Sequence, residues 1–323
     1  SFRCGTQAAP EGWARTISGT ARADGIGQTR IAWKAPGARG LRATLELLRF
    51  PDSPAYEWVV FFEQDAQSGG PVLTEVCSLD VTLPVADGAR LSYARGGMAG
   101  PDDYAPASEP LPAAAVTTFE LSAAGGRSSN RHLPFFNVQT AADRGYMVAV
   151  GWSGQWYAVL ETDGAGRVRL RAGMPDVNLA LEPGERIRTP RIVLVPWQGE
   201  AIHGHNALRR FLRRHHTPLL DGQLPPPMTW ANTWFTFNCG YEVNEQNQCE
   251  SIAGAASLGL EYLVADAGWY ECAHPYWWDG VGSWVPRADA FPNGFAPVAA
   301  RGAQGGVGFG LWLEPERAAL TSR

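Results

Sequence analysis

The sequence lacks several features that would identify a membrane, nucleic-acid-binding or nucleotide-binding protein. No stretch approaches the ~20 consecutive apolar residues that cross a bilayer, and 27 basic against 32 acidic side chains give a net charge of -5. A nucleic acid or an anionic membrane would call for a concentrated basic face, so we expect neither as a partner. The P-loop, the G-x-S-x-G motif and a G-x-G-x-x-G motif leading into a helix are also missing, which disfavours NTPases, serine hydrolases and dinucleotide enzymes.

Cysteine is scarce and scattered, and five residues are an odd set that argues against a disulfide framework. Cys239, Cys249, Cys272 and His274 lack the close C-x-x-C pair of a zinc site, so we predict no metal and no other cofactor. Cys239 and Cys272 both follow the ends of neighbouring predicted strands, and a disulfide between them is left open. The residues do not decide between a monomer and a homo-oligomer, nor between a cytoplasmic and a secreted protein.

Residues 1–220 carry the pattern of an antiparallel β-sandwich. Apolar and aromatic runs with period-two alternation lie between clusters of Gly, Pro, Asp and Ser. The D-G-A-G run at 163–166 indicates a hairpin, and the shared face of Leu208, Phe211 and Leu212 predicts a helix near 205–215. The predicted strands include 41–48, 57–63, 72–83, 147–152, 157–161, 168–172 and 191–195.

Three consecutive prolines, 225–227, mark a stiff linker over 221–228. The remainder, 229–323, alternates predicted strands with predicted helices, which is typical of a (β/α) barrel. Asn244 is a plausible N-cap of its first helix, and Gly259 lies just past the end of that helix. The predicted elements are a strand at 229–237, a helix at 245–258, a strand at 262–267, a helix at 297–304 and a strand at 307–313.

Asp266 is a lone acid at the end of an apolar strand. Burying an ionised carboxylate without partners costs several kcal/mol, so a specific partner is expected. A pair of ligand hydroxyls would serve, and so would a structural arginine such as Arg287 or Arg317. Both alternatives stay open from the residues alone.

Trp234, Trp269 and Trp312 fall near the ends of three successive predicted strands. The C-terminal ends of barrel strands lie on one face, so we expect these rings to converge on one cavity as a sugar-stacking wall. Any one tryptophan by itself is more often a core residue. Glu314 and Glu316 are either polar wall residues or partners of Arg317, and we favour the structural role.

Motifs along most of the chain resemble glycoside hydrolase family 36, the α-galactosidases or melibiases. N-T-W at 232–234 stands where the family has N-S-W, and D-A-G-W at 266–269 stands where many members have D-D-G-W. Further similar motifs are Y-E-W at 56–58, G-G-R-S-S at 125–129, L-P-F-F-N at 133–137, G-W-S-G-Q-W at 151–156, R-R-F-L at 209–212, G-S-W at 282–284, F-P-N-G-F at 291–295 and G-L-W-L-E-P-E at 310–316.

The resemblance implies an N-terminal β-supersandwich followed by the first three βα units of a (β/α)8 barrel. It implies a retaining exo-α-glycosidase that acts on terminal α-galactosyl residues of a small oligosaccharide or glycoside. Asp266, Trp269, Trp234 and Trp312 would bind the substrate. The reacting aspartates of the family lie on later strands, so no catalytic residue is expected within this segment, which we expect to be inactive alone and part of a longer polypeptide.

Ala267 departs from the family pattern because it replaces the second acid of D-D-G-W. Losing such an acceptor typically alters discrimination by ~1–3 kcal/mol, so the substrate need not be plain α-galactose. Two other interpretations remain, a transglycosylase of the raffinose-synthase type and a non-catalytic sugar-binding protein.

Overall fold

The computed structural model describes residues 1–36, 40–65, 69–272 and 276–322. The chain divides into two compact units, Ser1–Thr217 and Pro218–Arg323. Across the described ranges, no helix combines the length and the apolar character that a membrane span requires.

The first unit is built almost entirely of β-strands, as the alternating pattern predicts. Its single helix in the described ranges is α1 (Ala201–His215). The strands are β1 (Phe2–Cys4), β2 (Gln7–Ala9), β3 (Ala14–Ala21), β4 (Gly27–Lys34), β5 (Leu41–Arg49), β6 (Tyr56–Gln64), β7 (Leu73–Thr74), β8 (Cys77–Pro84), β9 (Arg90–Ala94), β10 (Pro106–Pro110), β11 (Val116–Ser122), β12 (Phe135–Ala141), β13 (Arg144–Gly151), β14 (Tyr157–Asp163), β15 (Arg167–Gly173), β16 (Asn178–Leu179), β17 (Arg186–Arg188) and β18 (Arg191–Gln198).

These strands form a large sheet with smaller sheets packed on it. The ten-stranded sheet has the order β10-β9-β12-β13-β18-β6-β5-β4-β3, with β17 also paired to β6, and the two four-stranded sheets are β11-β14-β15-β8 and β16-β7-β1-β2. A core that includes Leu91, Phe136, Trp156 and Leu170 lies between the large sheet and the β11-β14-β15-β8 sheet. The predicted β-sandwich is therefore confirmed.

Two local differences from the sequence-based prediction have clear physical causes. The run at 72–83 is two strands, β7 and β8, because Glu75 between them has a left-handed φ of 50°. Helix α1 begins four residues before the predicted start at 205, through Gly204, which sequence alone would read as unfavourable in a helix. Gly204 is required there because a Cβ would lie 2.5 Å from the ring of Trp197.

The second unit contains a three-stranded parallel sheet with two helices on one face. The elements are β19 (Trp230–Asn232), α2 (Glu245–Ser257), β20 (Tyr262–Ala265), α3 (Ala296–Gly305) and β21 (Gly308–Leu311). Ile252 of α2 and Val298 of α3 pack with Leu263 of β20 in a buried cluster. The β-α-β-α-β order is that of a partial barrel, as predicted.

The ends of these elements follow local hydrogen bonding. Asn244 caps α2 in a reciprocal capping box with Asn247, as predicted from the residue type. Gly259 follows the helix with a left-handed φ of 72°. Strand β19 is shorter than predicted because the chain turns after Asn232, and the Phe237 amide donates to the Thr233 carbonyl at 3.2 Å.

Two helix-interior glycines provide a matched test of this packing. Alanine in place of glycine ordinarily stabilises a helix interior by about 1 kcal/mol. At Gly204 the new Cβ would collide with Trp197, whereas at Gly254 in α2 it would meet no described atom within 4 Å. We expect Gly204→Ala to speed amide hydrogen exchange in α1 and Gly254→Ala to slow it in α2, measured by mass spectrometry. Slower exchange in both helices would contradict this packing.

Candidate functional site

The carboxylate of Asp266 lies directly after β20 and is held by two amide donors. The Asn232 side-chain amide donates to Oδ2 at 2.6 Å, and the Ala267 backbone N–H donates to Oδ1 at 2.7 Å. The backbone N–H of Asp266 donates to Thr233 Oγ1 at 3.2 Å. These hydrogen bonds fix the orientation of the carboxylate. The side chain is half-buried, so part of it remains accessible to solvent.

Asn232 is the partner of Asp266, and the sequence pattern alone did not indicate this contact. Its Oδ1 accepts from the backbone N–H of Trp234 at 2.7 Å while its Nδ2 holds Asp266. The position of Asn232 in the strand could have indicated this contact, because Asn232 is the last residue of β19 and pairs with Val264 of β20. A polar residue at that register position faces the residue that follows the next strand.

The arginine partners considered for Asp266 are engaged elsewhere. Arg287 Nε lies 3.0 Å from Asp289 Oδ1, and Arg317 donates two hydrogen bonds of 2.5 Å to the Glu314 carboxylate. The structural role favoured for Glu314 is thus the observed one. Among the described residues no arginine pairs with Asp266, so its protein partner is an amide instead of a cation.

The carboxylate retains capacity for a ligand. An ionised carboxylate has about four acceptor positions, and one on each oxygen of Asp266 is used by a protein amide. The remaining positions on both oxygens suit two donors, such as neighbouring hydroxyls of a sugar ring. These contacts are therefore compatible with the alternative in which ligand hydroxyls donate hydrogen bonds to Asp266.

Trp269 belongs to the core of the second unit, with 2% of its surface exposed. Its ring packs against Tyr270 at 5.2 Å, Phe295 at 5.4 Å and Trp284 at 6.0 Å between centroids. The prediction that Trp269 forms part of a sugar-stacking wall disagrees with this burial, because neither ring face is open. Its Nε1 instead donates to the backbone carbonyl of Trp312 at 3.0 Å. Trp269 is therefore a buried neighbour that holds the backbone of Trp312.

Trp234 and Trp312 are half-buried and belong to the same cluster. They meet through Trp277, whose ring centroid lies 5.5 Å from that of Trp234 and 5.7 Å from that of Trp312, edge-on in both cases. The structure therefore brings these two predicted wall residues to one end of the parallel sheet. Trp277 comes from the long loop after β20 and completes the group.

The buried ring of Tyr270 packs against the ring of Trp312. The two rings are nearly parallel, 23° apart with centroids at 6.5 Å, and Tyr270 is fully buried. Burial, reinforced by the nearby charge of Glu314, raises the pKa of the Tyr270 phenol, which keeps it neutral. Its hydroxyl has no hydrogen-bond partner among the described residues.

The loop beneath Asp266 requires close backbone contact. Gly268 has a φ of 98°, and a Cβ there would lie 2.0 Å from the carbonyl oxygen of Gly240. Asn238 and Cys239 also adopt left-handed φ angles of 49° and 53°, a strained arrangement of the kind that accumulates near functional sites. Ala267 is fully buried in this contact, so no acceptor stands at the second position of the D-A-G-W motif.

The cysteines do not form the disulfide that the sequence left open. Cys239 and Cys272 are not joined by a disulfide, and neither is bonded to another cysteine. Over the residues whose placement is described, no group of three or more His, Cys, Asp and Glu side chains could hold a metal ion. His274, considered with these cysteines as a ligand, lies outside the described residues.

Comparison with known proteins gives one consistent family. The Melibiase family model matches residues 201–323. The chain is 31% identical over 215 residues to α-galactosidase C of Emericella nidulans, covering 59% of this chain and 27% of that protein. It is 31% identical to α-galactosidase 2 of Pediococcus pentosaceus, with 61% and 27% covered. The chain thus spans about a quarter of the length of these relatives.

Solved structures extend the similarity to nearly the whole chain. The family 36 α-galactosidase AgaA of Geobacillus stearothermophilus superposes with a TM-score of 0.75 at 22% identity, covering 98% of this chain and 43% of that one. The α-galactosidase of Lactobacillus brevis gives a TM-score of 0.72 at 22% identity, covering 100% and 42%. At these identities the structural similarity shows the fold alone. The similarity to the α-galactosidases in sequence rests on the family model and on the sequence matches. The resemblance to glycoside hydrolase family 36 is therefore confirmed: residues 201–323 match the Melibiase family model, and the chain is similar to part of the α-galactosidases with which it was compared.

Proposed function

We propose that the protein is an exo-acting α-galactosidase that hydrolyses terminal α-galactosyl residues with retention of configuration. The observation that carries this proposal is the Asp266 carboxylate, which Asn232 orients while leaving acceptor positions open. It lies in a chain whose relatives are named α-galactosidases. Structures of AgaA variants of Geobacillus stearothermophilus are complexes with stachyose and with raffinose, and we extend an oligosaccharide substrate to this protein.

In this proposal the chain supplies the sugar-binding part of the site. Asp266 accepts hydrogen bonds from two ring hydroxyls, which fixes the orientation of the sugar. Trp234 and Trp312 offer apolar surface to its C–H face, as is usual for a pocket with few polar groups. Trp269, which the sequence placed in this wall, instead supports Trp312.

The bond-breaking step needs groups beyond this set. Retention requires two carboxyl groups about 5–5.5 Å apart, one as nucleophile and one as acid and base. We assign both to parts of the protein outside residues 1–323, and expect this segment by itself to have no turnover.

The missing acceptor at Ala267 sets the expected specificity. A site that hydrogen-bonds a hydroxyl discriminates strongly against sugars without it, and a buried methyl group provides no such discrimination. We therefore compare the binding free energy of galactose with that of an analogue altered at the hydroxyl nearest Ala267. We expect the two values to differ by less than the ~1–3 kcal/mol that one acceptor provides.

The reaction itself is tested with the full-length protein and methyl α-galactoside, following the first-formed anomer of the product by proton NMR. We expect hydrolysis that releases α-galactose before mutarotation. Release of β-galactose would contradict the retaining mechanism. Predominant transfer to an added sugar acceptor would identify a transglycosylase instead, and binding without turnover would identify a sugar-binding protein.

Asp266→Asn tests the binding carboxylate. The amide keeps the shape but replaces one acceptor oxygen with a donor, and a hydrogen bond to a charged group contributes about 1.5–3 kcal/mol. We expect kcat/KM to fall about 10- to 150-fold, with a modest loss of thermal stability because a protein N–H donor faces each oxygen position that the new amide nitrogen can take. Glu250→Gln, an exposed acid on α2, is the matched control and should leave kcat/KM unchanged. An equal effect of both variants on kcat/KM would show that Asp266 does not bind the substrate.

Trp269→Ala and Trp312→Ala test the division between supporting and contacting rings. Truncating the buried Trp269 leaves a cavity, so we expect a loss of about 3–5 kcal/mol in the free energy of unfolding. Trp312→Ala should chiefly raise KM, with a smaller loss of stability because that ring is half-buried. Chemical denaturation and steady-state kinetics of the full-length variants measure both quantities. A larger stability loss from Trp312→Ala would contradict this division.

A further inference from the structure

Three aromatic side chains beyond the candidate pocket form an arrangement that the proposed galactose site does not use. Tyr276 and Trp278 stack face to face, with centroids 4.6 Å apart and an interplanar angle of 14°. Tyr241 stands edge-on to both, with centroids at 6.2 Å and 6.3 Å. We call these three residues the rim stack.

The rim stack lies on the strand-end side of the parallel sheet. Tyr241 belongs to the loop that follows β19, and Tyr276 and Trp278 belong to the loop that follows β20. Loops after the C-terminal ends of barrel strands form the face where ligands bind. The rim stack is therefore on the same side of the second unit as Asp266, which also follows β20.

The rim stack is continuous with the pocket wall through one ring. Trp277 lies 5.7 Å from Trp278 and also contacts Trp234 and Trp312, at 5.5 Å and 5.7 Å between centroids. Successive rings thus lead from the wall near Asp266 outward to the rim.

The two stacked rings are exposed despite their size. Tyr276 and Trp278 each have 42% of their surface accessible, although large aromatic residues contribute most when they are buried. In a face-to-face stack each ring covers one face of the other, and Tyr241 abuts the edges of both. The accessible area of each ring therefore lies on the side away from the stack or along the ring edges, and most of it is apolar.

We propose that the rim stack binds a second sugar ring of the substrate, so that the protein acts on oligosaccharides in preference to α-galactosides with a small leaving group. A pyranose presents a C–H face that suits an aromatic face, while its hydroxyls remain in water at a half-open rim. This proposal rests on the proposed function and adds to it the size of the preferred substrate.

The test compares substrates with and without a second ring. In the full-length protein, Trp278→Ala should lower kcat/KM for raffinose about fivefold or more, since a stacked ring contributes about 1 kcal/mol beyond its area. The same variant should leave kcat/KM for methyl α-galactoside, which has no second ring, unchanged. Trp278→Phe should restore most of the activity on raffinose, because a ring face is retained.

Two further variants separate a binding role from a folding role. Tyr276→Ala removes the other stacked ring and should reproduce the selective loss even if Trp278→Ala folds poorly. Tyr104→Ala, an exposed aromatic of the first unit, should affect neither substrate. Equal losses on raffinose and methyl α-galactoside would overturn the rim-stack proposal while leaving an α-galactosidase in place, and so would a changed oligomeric state without substrate discrimination.

A binding measurement separates this proposal from the proposed function. Titration calorimetry with a sulfur-linked raffinose analogue, which a glycosidase does not cleave, should show weaker binding to Trp278→Ala than to the unmodified protein. If the protein binds this analogue through Trp278 but hydrolyses no α-galactoside, the proposed function fails and the rim stack stands. If binding is identical in the two proteins, the rim-stack proposal fails.

Discussion

A strand-end carboxylate can bind a sugar only if the protein first holds it in one orientation without using all its acceptor positions. In this protein the hydrogen bond of 2.6 Å from the Asn232 amide to Asp266 Oδ2 does this. The parallel pairing of β19 with β20 sets the bond, because Asn232 is aligned with Val264, two residues before Asp266. The same asparagine accepts from the backbone of Trp234, so one side chain positions both the acid and the chain that carries the Trp234 ring.

The aromatic cluster divides into rings that support and rings that are accessible. Trp269 and Tyr270 are buried and hold Trp312, the first through its backbone carbonyl and the second by parallel ring contact. The close approach of Gly268 to Gly240 brings the loop after β19 over the loop after β20. This contact is why a glycine is needed in the D-A-G-W motif, whatever residue stands at Ala267.

Much of this architecture follows from the sequence because it depends on local rules. The period-two pattern predicted the sandwich, and Asn244 predicted the start of α2. Strand-end positions predicted that Trp234, Trp269 and Trp312 converge, and all three belong to one aromatic cluster. Two features depend on tertiary contacts that no local pattern carries. Gly204 is required in α1 because the ring of Trp197 leaves no room for a Cβ, and Trp269 looks like a wall residue until the neighbours that bury it are known. The partner of Asp266 was missed because only the pairing of β19 with β20 brings Asn232 to it, and the arginines Arg287 and Arg317 pair with other acids.

In the proposed function, Asp266, held by Asn232, receives the hydroxyls of a bound galactose beside Trp234 and Trp312. A crystal structure of the full-length protein with galactose tests this most directly. We expect two sugar hydroxyls within hydrogen-bond distance of the two Asp266 oxygens, with Asn232 still bonded to Oδ2. A galactose bound elsewhere, with Asp266 paired only to protein groups, would contradict it.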